Sequence, residues 1–499
     1  MADQPLAVID IGSNSGRMIV VRSPSGQHVE TLLEAKTPLR LASDVAATGS
    51  LTPGAFERTI ACLEDFLAQA QAFGAARTIA VATAAVRDAS NGDALIDRIR
   101  SLTGIEVETI DGEREAELGF LGAVHSLPMD AGMLLDVGGG SIELSRFRDR
   151  AMVKAWSLPL GALLLSDRFF TEDPPGRGER RRLLGHVNEA LNVAKIPDHL
   201  SRNERFVGTG GTIRNLAKMD RRERSYPITR VHGYVLTLAR VDELAGLLSS
   251  RPLAKRETLS GLNVERADSI VAGAIVAGTI MEMLGAEEMT VSGKGLREGI
   301  AMEALTTTMP SPDAVRDASI AALAGRFATW DPERAKRRES LASDIFAATS
   351  SEHPDVAEML RYAALVIDAG AALDPYNRHE HAAAAVLSGD LSGFSHPQLA
   401  LTAAILRRAD KEDAGLKPFR SLLRGYDPSI ITRAAIALAV ADSIDLRLPP
   451  GASAAIRSTK NTITVVGTLR PGRWSDKLGA RMKVATGRGL SVKTREDEP

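Results

Sequence analysis

Residues that could do phosphate chemistry cluster at Leu134–Leu144, LLDVGGGSIEL. An apolar run ends in Asp136, passes through Gly138, Gly139, Gly140 and Ser141, and resumes as Ile142-Glu143-Leu144. The pattern predicts a β-hairpin whose turn gathers several backbone N–H groups at one spot. Glycines let backbone approach a ligand closely, and clustered N–H groups favour an anion. Asp136 and Glu143 flank the turn. Carboxylates beside a phosphate repel it unless a cation lies between, so the stretch suggests a Mg²⁺–phosphate site. A tight turn that merely needs glycine satisfies the same pattern.

Leu6–Val21, LAVIDIGSNSGRMIVV, repeats the arrangement 126 residues earlier. Aligning Asp10 with Asp136 also aligns Gly12 with Gly138 and Ser15 with Ser141, and puts Arg17 where Glu143 stands. A degenerate internal repeat predicts two similar lobes. The hairpin turns, with Ser13, Asn14 and Ser15 on one side and Gly138–Ser141 on the other, would grip a phosphate chain between them. Asp10 joins Asp136 and Glu143 as a cation ligand, and Arg17 supplies positive charge.

The elements around the hairpins carry further candidates. Thr78–Val81 reads as a strand, and Arg87 just beyond it could meet a phosphate bidentately or lie solvated on the surface. Ile105–Ile110 alternates like a strand. Glu113-Arg114-Glu115-Ala116-Glu117 then opens a helix, where acidic residues suit the helix dipole unless one faces the cleft as a base. Arg205–Val207 leads into Gly208-Thr209-Gly210-Gly211-Thr212 and a helix, so Gly210, Gly211 and Thr212 make a third phosphate-friendly turn. Ser292-Gly293-Lys294-Gly295 before Leu296 makes a fourth. Thr52–Phe73 has the apolar spacing of an amphipathic helix.

Composition bounds the rest. The 499 residues suffice for roughly three domains. A formal net charge of −2 gives no reason to expect nucleic-acid binding. Cys62 is the sole cysteine, which rules out intrachain disulfides and cysteine-rich zinc sites. The N-terminus lacks the signature of a signal peptide, and Ser269–Leu284 is too short to span a bilayer. A cytoplasmic protein without membrane association is expected. Thr306–Asp313 reads as a linker, and Ala314–Leu446 as all-helical. Asn461–Leu469 alternates like a strand and is followed by Arg470, Arg473, Lys477, Arg481 and Lys483, a solvated basic surface. Glu496–Pro499 reads as a frayed tail.

Six motifs stand in one order: DIGSNSGRM at Asp10, ATAAVRDASN at Ala82, GEREAELGFLGA at Gly112, LDVGGGSIEL at Leu135, VGTGGT at Val207 and SGKGLREGI at Ser292. The chain thereby resembles the acetate/sugar kinase–Hsp70–actin superfamily and, within it, the exopolyphosphatase and guanosine pentaphosphate phosphohydrolase (Ppx/GppA) family. The resemblance implies an α/β fold of two actin-like, RNase H-like lobes, 1–117 and 118–308. An all-α HD-like C-terminal domain with a short β-containing tail, 309–499, would follow.

It also implies roles. Glu115 would be the base, with Arg114 in place of the family's preceding glutamate, a change that could alter the pKa of the base. Asp136 and Glu143 match the metal-binding carboxylates, and Arg87 the arginine of the Thr-x-Ala-x-Arg motif. Ser13, Asn14, Ser15 and Arg17 match the first phosphate loop, and Gly138–Ser141 the second. Ile142 stands where the family usually has Thr. In the helical part, Arg378-His379-Glu380-His381 and Ala441-Asp442 resemble HD ligand positions, but no His-Asp pair occurs. A degenerate domain that packs and guides substrate is expected, with Arg407, Arg408 and Lys411 lining a path.

The implied activity is removal of terminal orthophosphate from inorganic polyphosphate with Mg²⁺, K⁺ being a further activator. Guanosine pentaphosphate (pppGpp) hydrolysis on the same site is the alternative, with pppGpp or ppGpp as substrate or inhibitor and a link to the stringent response. A kinase of the same superfold and a non-hydrolytic (p)ppGpp-binding regulator are the competing classes. Family members are commonly homodimers.

Overall fold

Each repeated hairpin opens the same five-strand arrangement. In the first lobe, β1 (Leu6–Ile11), β2 (Ser15–Arg22) and β3 (Glu30–Pro38) form an antiparallel meander. β4 (Arg77–Ala82) and β5 (Val107–Thr109) add in parallel on the other side of β1, giving the order β3-β2-β1-β4-β5. In the second lobe, β6 (Gly132–Val137), β7 (Ile142–Arg148) and β8 (Ala151–Leu158) form the meander, and β9 (Arg205–Thr209) pairs in parallel with β6. With β10 (Val235–Thr237) and β11 (Glu288–Val291), the order is β10-β11-β9-β6-β7-β8. The shared order β3-β2-β1-β4-β5 and β8-β7-β6-β9-β11 makes both lobes actin-like. The computed structural model describes residues 4–306, 308–349, 352–412, 414 and 416–494, so the tail read as frayed lies outside it.

β1 is apolar apart from Asp10 because both of its faces are covered. Ala7, Ile9 and Ile11 pack with Leu63 and Phe66 of the helix Pro53–Ala72. Leu6 and Val8 pack with Leu118 and Ile300, from the helices Gly112–Ser126 and Leu296–Leu305. Thr52 caps the first of these helices, its hydroxyl accepting from the N–H of Ala55 at 3.2 Å. The other two cross so closely that a Cβ on Gly122 would stand 2.1 Å from the carbonyl oxygen of Gly295, and one on Gly299 1.7 Å from that of Leu118. Residues 117 and 118, where the lobes were divided, lie within the single helix Gly112–Ser126. The strand expected over Ile105–Ile110 is shorter, Val107–Thr109.

The chain forms two compact units. One comprises the residues up to Tyr226 with Arg230–Val315; the other comprises those from Arg316 with Pro227–Thr229. The second unit is helical, with principal helices at Pro332–Thr349, Pro354–Val366, Arg378–Ser388, His396–Asp410 and Pro428–Asp445. It ends in a small sheet, β12 (Ala454–Ser458), β13 (Thr462–Gly467) and β14 (Gly489–Thr494), in that order. The basic stretch after Leu469 contains the helix Arg473–Thr486, which buries Leu478 and Met482 beneath its charges. Among the described residues no helix is long and apolar enough to cross a membrane.

Where the HD resemblance looked for a metal, the helical unit holds guanidinium groups. Arg338 is fully buried, 2.9 Å from Asp368 and 3.5 Å from Asp445, and Arg378 pairs with both Asp368 and Asp442. Arg407 pairs with Glu380 at 2.5 Å. Arg408 donates to Thr432 and to the carbonyl of Ala414. These two side chains of the expected basic path are thus engaged within the unit.

Candidate active site

Both hairpin turns are built by one device. In the second, the carbonyls of Gly138, Gly139 and Gly140 are turned away from the cleft. They accept from the N–H groups of Ala162, Leu163 and Gly161 at 3.0, 3.0 and 3.2 Å, where the helix Ala162–Phe169 begins. In the first, the carbonyl of Asn14 accepts from Leu39 and Arg40, and that of Ser13 from Ala42, at the start of the helix Leu41–Thr48. Gly12 and Gly138 close the turns identically, each N–H donating to a serine carbonyl three residues on, at 3.2 and 3.0 Å. With the carbonyls held by helix N-termini, the turns present N–H groups, which is what an anion requires. The turns also face each other: a Cβ on Gly139 would stand 3.4 Å from that of Ser13 and 3.5 Å from that of Asn14.

The register places Asp10 opposite Arg17 and Asp136 opposite Glu143. Asp10, Ser13, Asn14, Ser15, Arg17, Glu115, Asp136 and the turn Gly138–Ser141 line one cleft with Gly210 and Gly211. Three more arginines stand there that sequence reasoning missed, Arg214, Arg266 and Arg297. Arg17 bonds Ser15 Oγ, and Arg214 bonds the carbonyls of Gly210 and Gly293. Arg266 packs on Gly211, with its Nη1 buried and without a hydrogen-bond partner. Among the described residues none of these three has an ion pair, whereas Arg297 meets Glu34 at 3.1 Å. Burial, reinforced by Arg214, Arg297 and Arg266, pushes the Arg17 guanidinium down to about 9. Guanidinium groups crowded without carboxylate partners form a receptor for a polyanion.

Residues 19–308 match the Ppx/GppA phosphatase family, and residues 315–445 match Ppx/GppA phosphatase, domain III. The chain belongs to the Ppx/GppA phosphatase family. It is 32% identical over 318 residues to exopolyphosphatase 1 of Mycobacterium tuberculosis, covering 63% of this chain and 92% of that one. Among solved structures it is similar to an exopolyphosphatase from Cytophaga hutchinsonii, at 28% identity and a TM-score of 0.57, covering 60% of this chain and 98% of that one. A family member from Aquifex aeolicus gives 30% identity and a TM-score of 0.54, over 60% and 97% of the two chains. The chain is by family a phosphatase, hence a hydrolase.

The family's carboxylates can be followed atom by atom. Burial, then the neighbouring Glu143, Asp10 and Asp136, raises Glu115 well above the ordinary glutamate range. Burial and Asp136 raise Glu143 to about 8, and burial raises Asp10 to about 6. Asp136 is also raised by burial. Asp10 Oδ1 and Glu115 Oε2 are buried without hydrogen-bond partners. Such hard, under-satisfied oxygens fit a divalent cation. Among the described residues no three of them form a ready-made metal cluster.

Other predicted residues sit differently. Arg114 points away from the base: it pairs with Glu117 at 2.5 Å and with Glu303 across the helix crossing. Thr212 contributes no side chain to the cleft, because its hydroxyl and methyl pack where a Cβ on Gly273 would be, 2.7 Å away. It can serve only through its N–H in the first turn of the helix Gly210–Glu223. Arg87 is absent from the lining of the cleft; its Nη1 donates to Ile110 O at 3.0 Å and its Nε to Asp88. Glu143 is buried behind the turn, accepting from Ser157 Oγ at 3.1 Å. Ile142 is fully buried, in the core of the second lobe.

Sequence signals for the missed arginines were uneven. Arg297 lies inside the SGKGLREGI motif and Arg214 one turn into the helix after Gly210. Arg266, in a short helical turn of one residue triplet, carried none.

Proposed function

We propose that the protein is an exopolyphosphatase, removing terminal orthophosphate from inorganic polyphosphate with Mg²⁺. The observation that carries this reading is the set of Arg17, Arg214 and Arg266, unpaired among the described residues and facing two N–H-presenting turns beside Glu115. The names of the similar proteins from M. tuberculosis and C. hutchinsonii support it.

The chemistry follows from the residues. Attack of water on a terminal phosphoryl group passes through a loose transition state with charge on the equatorial oxygens. The turn N–H groups and the cleft arginines stabilise that charge without reorganising. Glu115, on a rigid helix capped by Asp111, orients the water and accepts its proton at a carboxylate oxygen. Asp136 and Glu143, with Asp10 beside them, would hold Mg²⁺, which when bound neutralises phosphate charge.

Phosphate release from long-chain polyphosphate and from guanosine pentaphosphate, each with Mg²⁺ and with chelator, tests the reading. Release from polyphosphate that chelator abolishes is expected. A preference for the nucleotide of about tenfold or more in kcat/KM would replace polyphosphate with the nucleotide as substrate.

A further inference from the structure

The arginine-lined cleft is not the sole approach to the turns. A second pocket lies on the other side of the contact between Ser13 and Gly140. Its walls include Val45, Ala46, Arg87, Ser157, Pro159 and Leu164. The two spaces share Ser13, Gly140 and Ser141, so the facing turns form the partition between them. Ser157, on the rear wall, holds Glu143 from behind.

The two sides differ in how many guanidinium groups they offer. The front carries Arg17, Arg214, Arg266 and Arg297 beside the carboxylates Asp10, Glu115, Asp136 and Glu298; the rear carries one guanidinium, Arg87, paired with Asp88, among small and apolar side chains. Arg87 is fixed there by Ile110 O and Asp88 through Nη1 and Nε, which leaves Nη2 without a protein acceptor among the described residues. A long polyanion is held by the front. A single guanidinium whose charge is already shared with Asp88 suits a small anion held weakly and passed on.

We infer that the rear pocket is an orthophosphate site through which the cleaved product leaves, past Arg87, while the shortened chain stays on the front arginines. This rests on the polyphosphate reading. In the cleavage, the water oxygen bonds to the terminal phosphorus and its proton goes to Glu115. The bond to the bridging oxygen breaks, with its electron pair passing to the shortened chain. The chain lies toward the front and fills that opening. Orthophosphate, formed at the turn partition, then has the rear pocket as its way out without displacement of the chain. Separate mouths for chain and product would let one chain be shortened repeatedly.

Two substitutions fill the pocket from positions outside the catalytic machinery, Val45→Phe and Ala46→Trp. Cleavage in the first turnover, read by acid quench of end-labelled polyphosphate, should stay within about twofold of the parent. Free phosphate, read by a fluorescent phosphate-binding protein, should emerge about tenfold or more slower, so that product accumulates on the enzyme. Val45→Ala, which widens the pocket, should release phosphate at least as fast as the parent. Unchanged release in both filled and normally melting variants would overturn the exit. So would a fall in cleavage that matches the fall in release, or a selective loss of guanosine pentaphosphate turnover, which would mark a nucleoside pocket. A parent protein that cleaves no polyphosphate would instead remove the reading of function itself.

Discussion

The N–H of Gly161 donates to the carbonyl oxygen of Gly140 at 3.2 Å, and a Cβ on Gly161 would stand 2.3 Å from the carbonyl carbon of Gly140. The phosphate turn thus sits directly on the residue that starts the next helix, with no room for a methyl group. Gly161→Ala must push the turn out of place. Misplacement by an ångström in a preorganised site costs on the order of 100-fold in rate. Phosphate release should fall by that order while far-UV circular dichroism stays that of the parent.

Glu115→Gln removes the proton acceptor but keeps size and shape. Turnover should fall by ~100-fold or more, with polyphosphate binding retained in an equilibrium assay. Near-normal phosphate release from this variant would refute the base assignment.

Arg114→Glu restores the acidic residue that the family carries before its base. Here it would face Glu117 and Glu303 with like charge. The partly exposed pairs it breaks are worth about 1 kcal/mol or less, so a drop of a few degrees in Tm is expected. Because the side chain points away from the cleft, kcat should change by less than about threefold; a larger change would show that Arg114 acts on Glu115.

His125 is buried and its Nε2 lies 2.9 Å from Gln27 O. Burial lowers it from 6.5 to about 4, so it stays neutral in the folded protein. Between those values the unfolded chain binds the proton and the folded one does not, so stability is present above about pH 6.5 and lost as pH falls toward 4. The loss amounts to on the order of 3 kcal/mol. Urea unfolding from pH 7 to pH 4.5 should show the decline, and His125→Gln should flatten it.

Arg338→Met tests the charged core of the helical unit. It strips a fully buried cation from Asp368 and Asp445. Uncompensated buried carboxylates cost about 3–5 kcal/mol. Calorimetry of the full chain should show a transition moved to lower temperature, and an unaltered scan would show that the remaining arginines suffice.

The hairpins, their repeat and the helix bearing Glu115 were legible in the chain because each depends on local rules. Asp10-Ile-Gly and Asp136-Val-Gly end apolar strands at glycine turns, and Asp111 caps a helix by side-chain chemistry. β5 is shorter than its alternation suggests and the helix Arg473–Thr486 carries no clear mark in the chain, since three paired residues and a sparse apolar stripe leave little periodic signal. The family motifs named Glu115, Asp136 and Glu143 as a set, but motif order carries no distances.

Sequence by itself determined two similar phosphate-turn lobes, a helical second part and the residues from which a phosphatase site is drawn. Tertiary structure alone decided that Arg17, Arg214, Arg266 and Arg297, separated by up to 280 residues, share one cleft. It also turned Arg114 outward, buried Thr212 and put Arg87 behind the partition. The reason is physical: a turn or a cap is written in neighbouring residues, whereas the face a side chain meets depends on which distant elements pack against it.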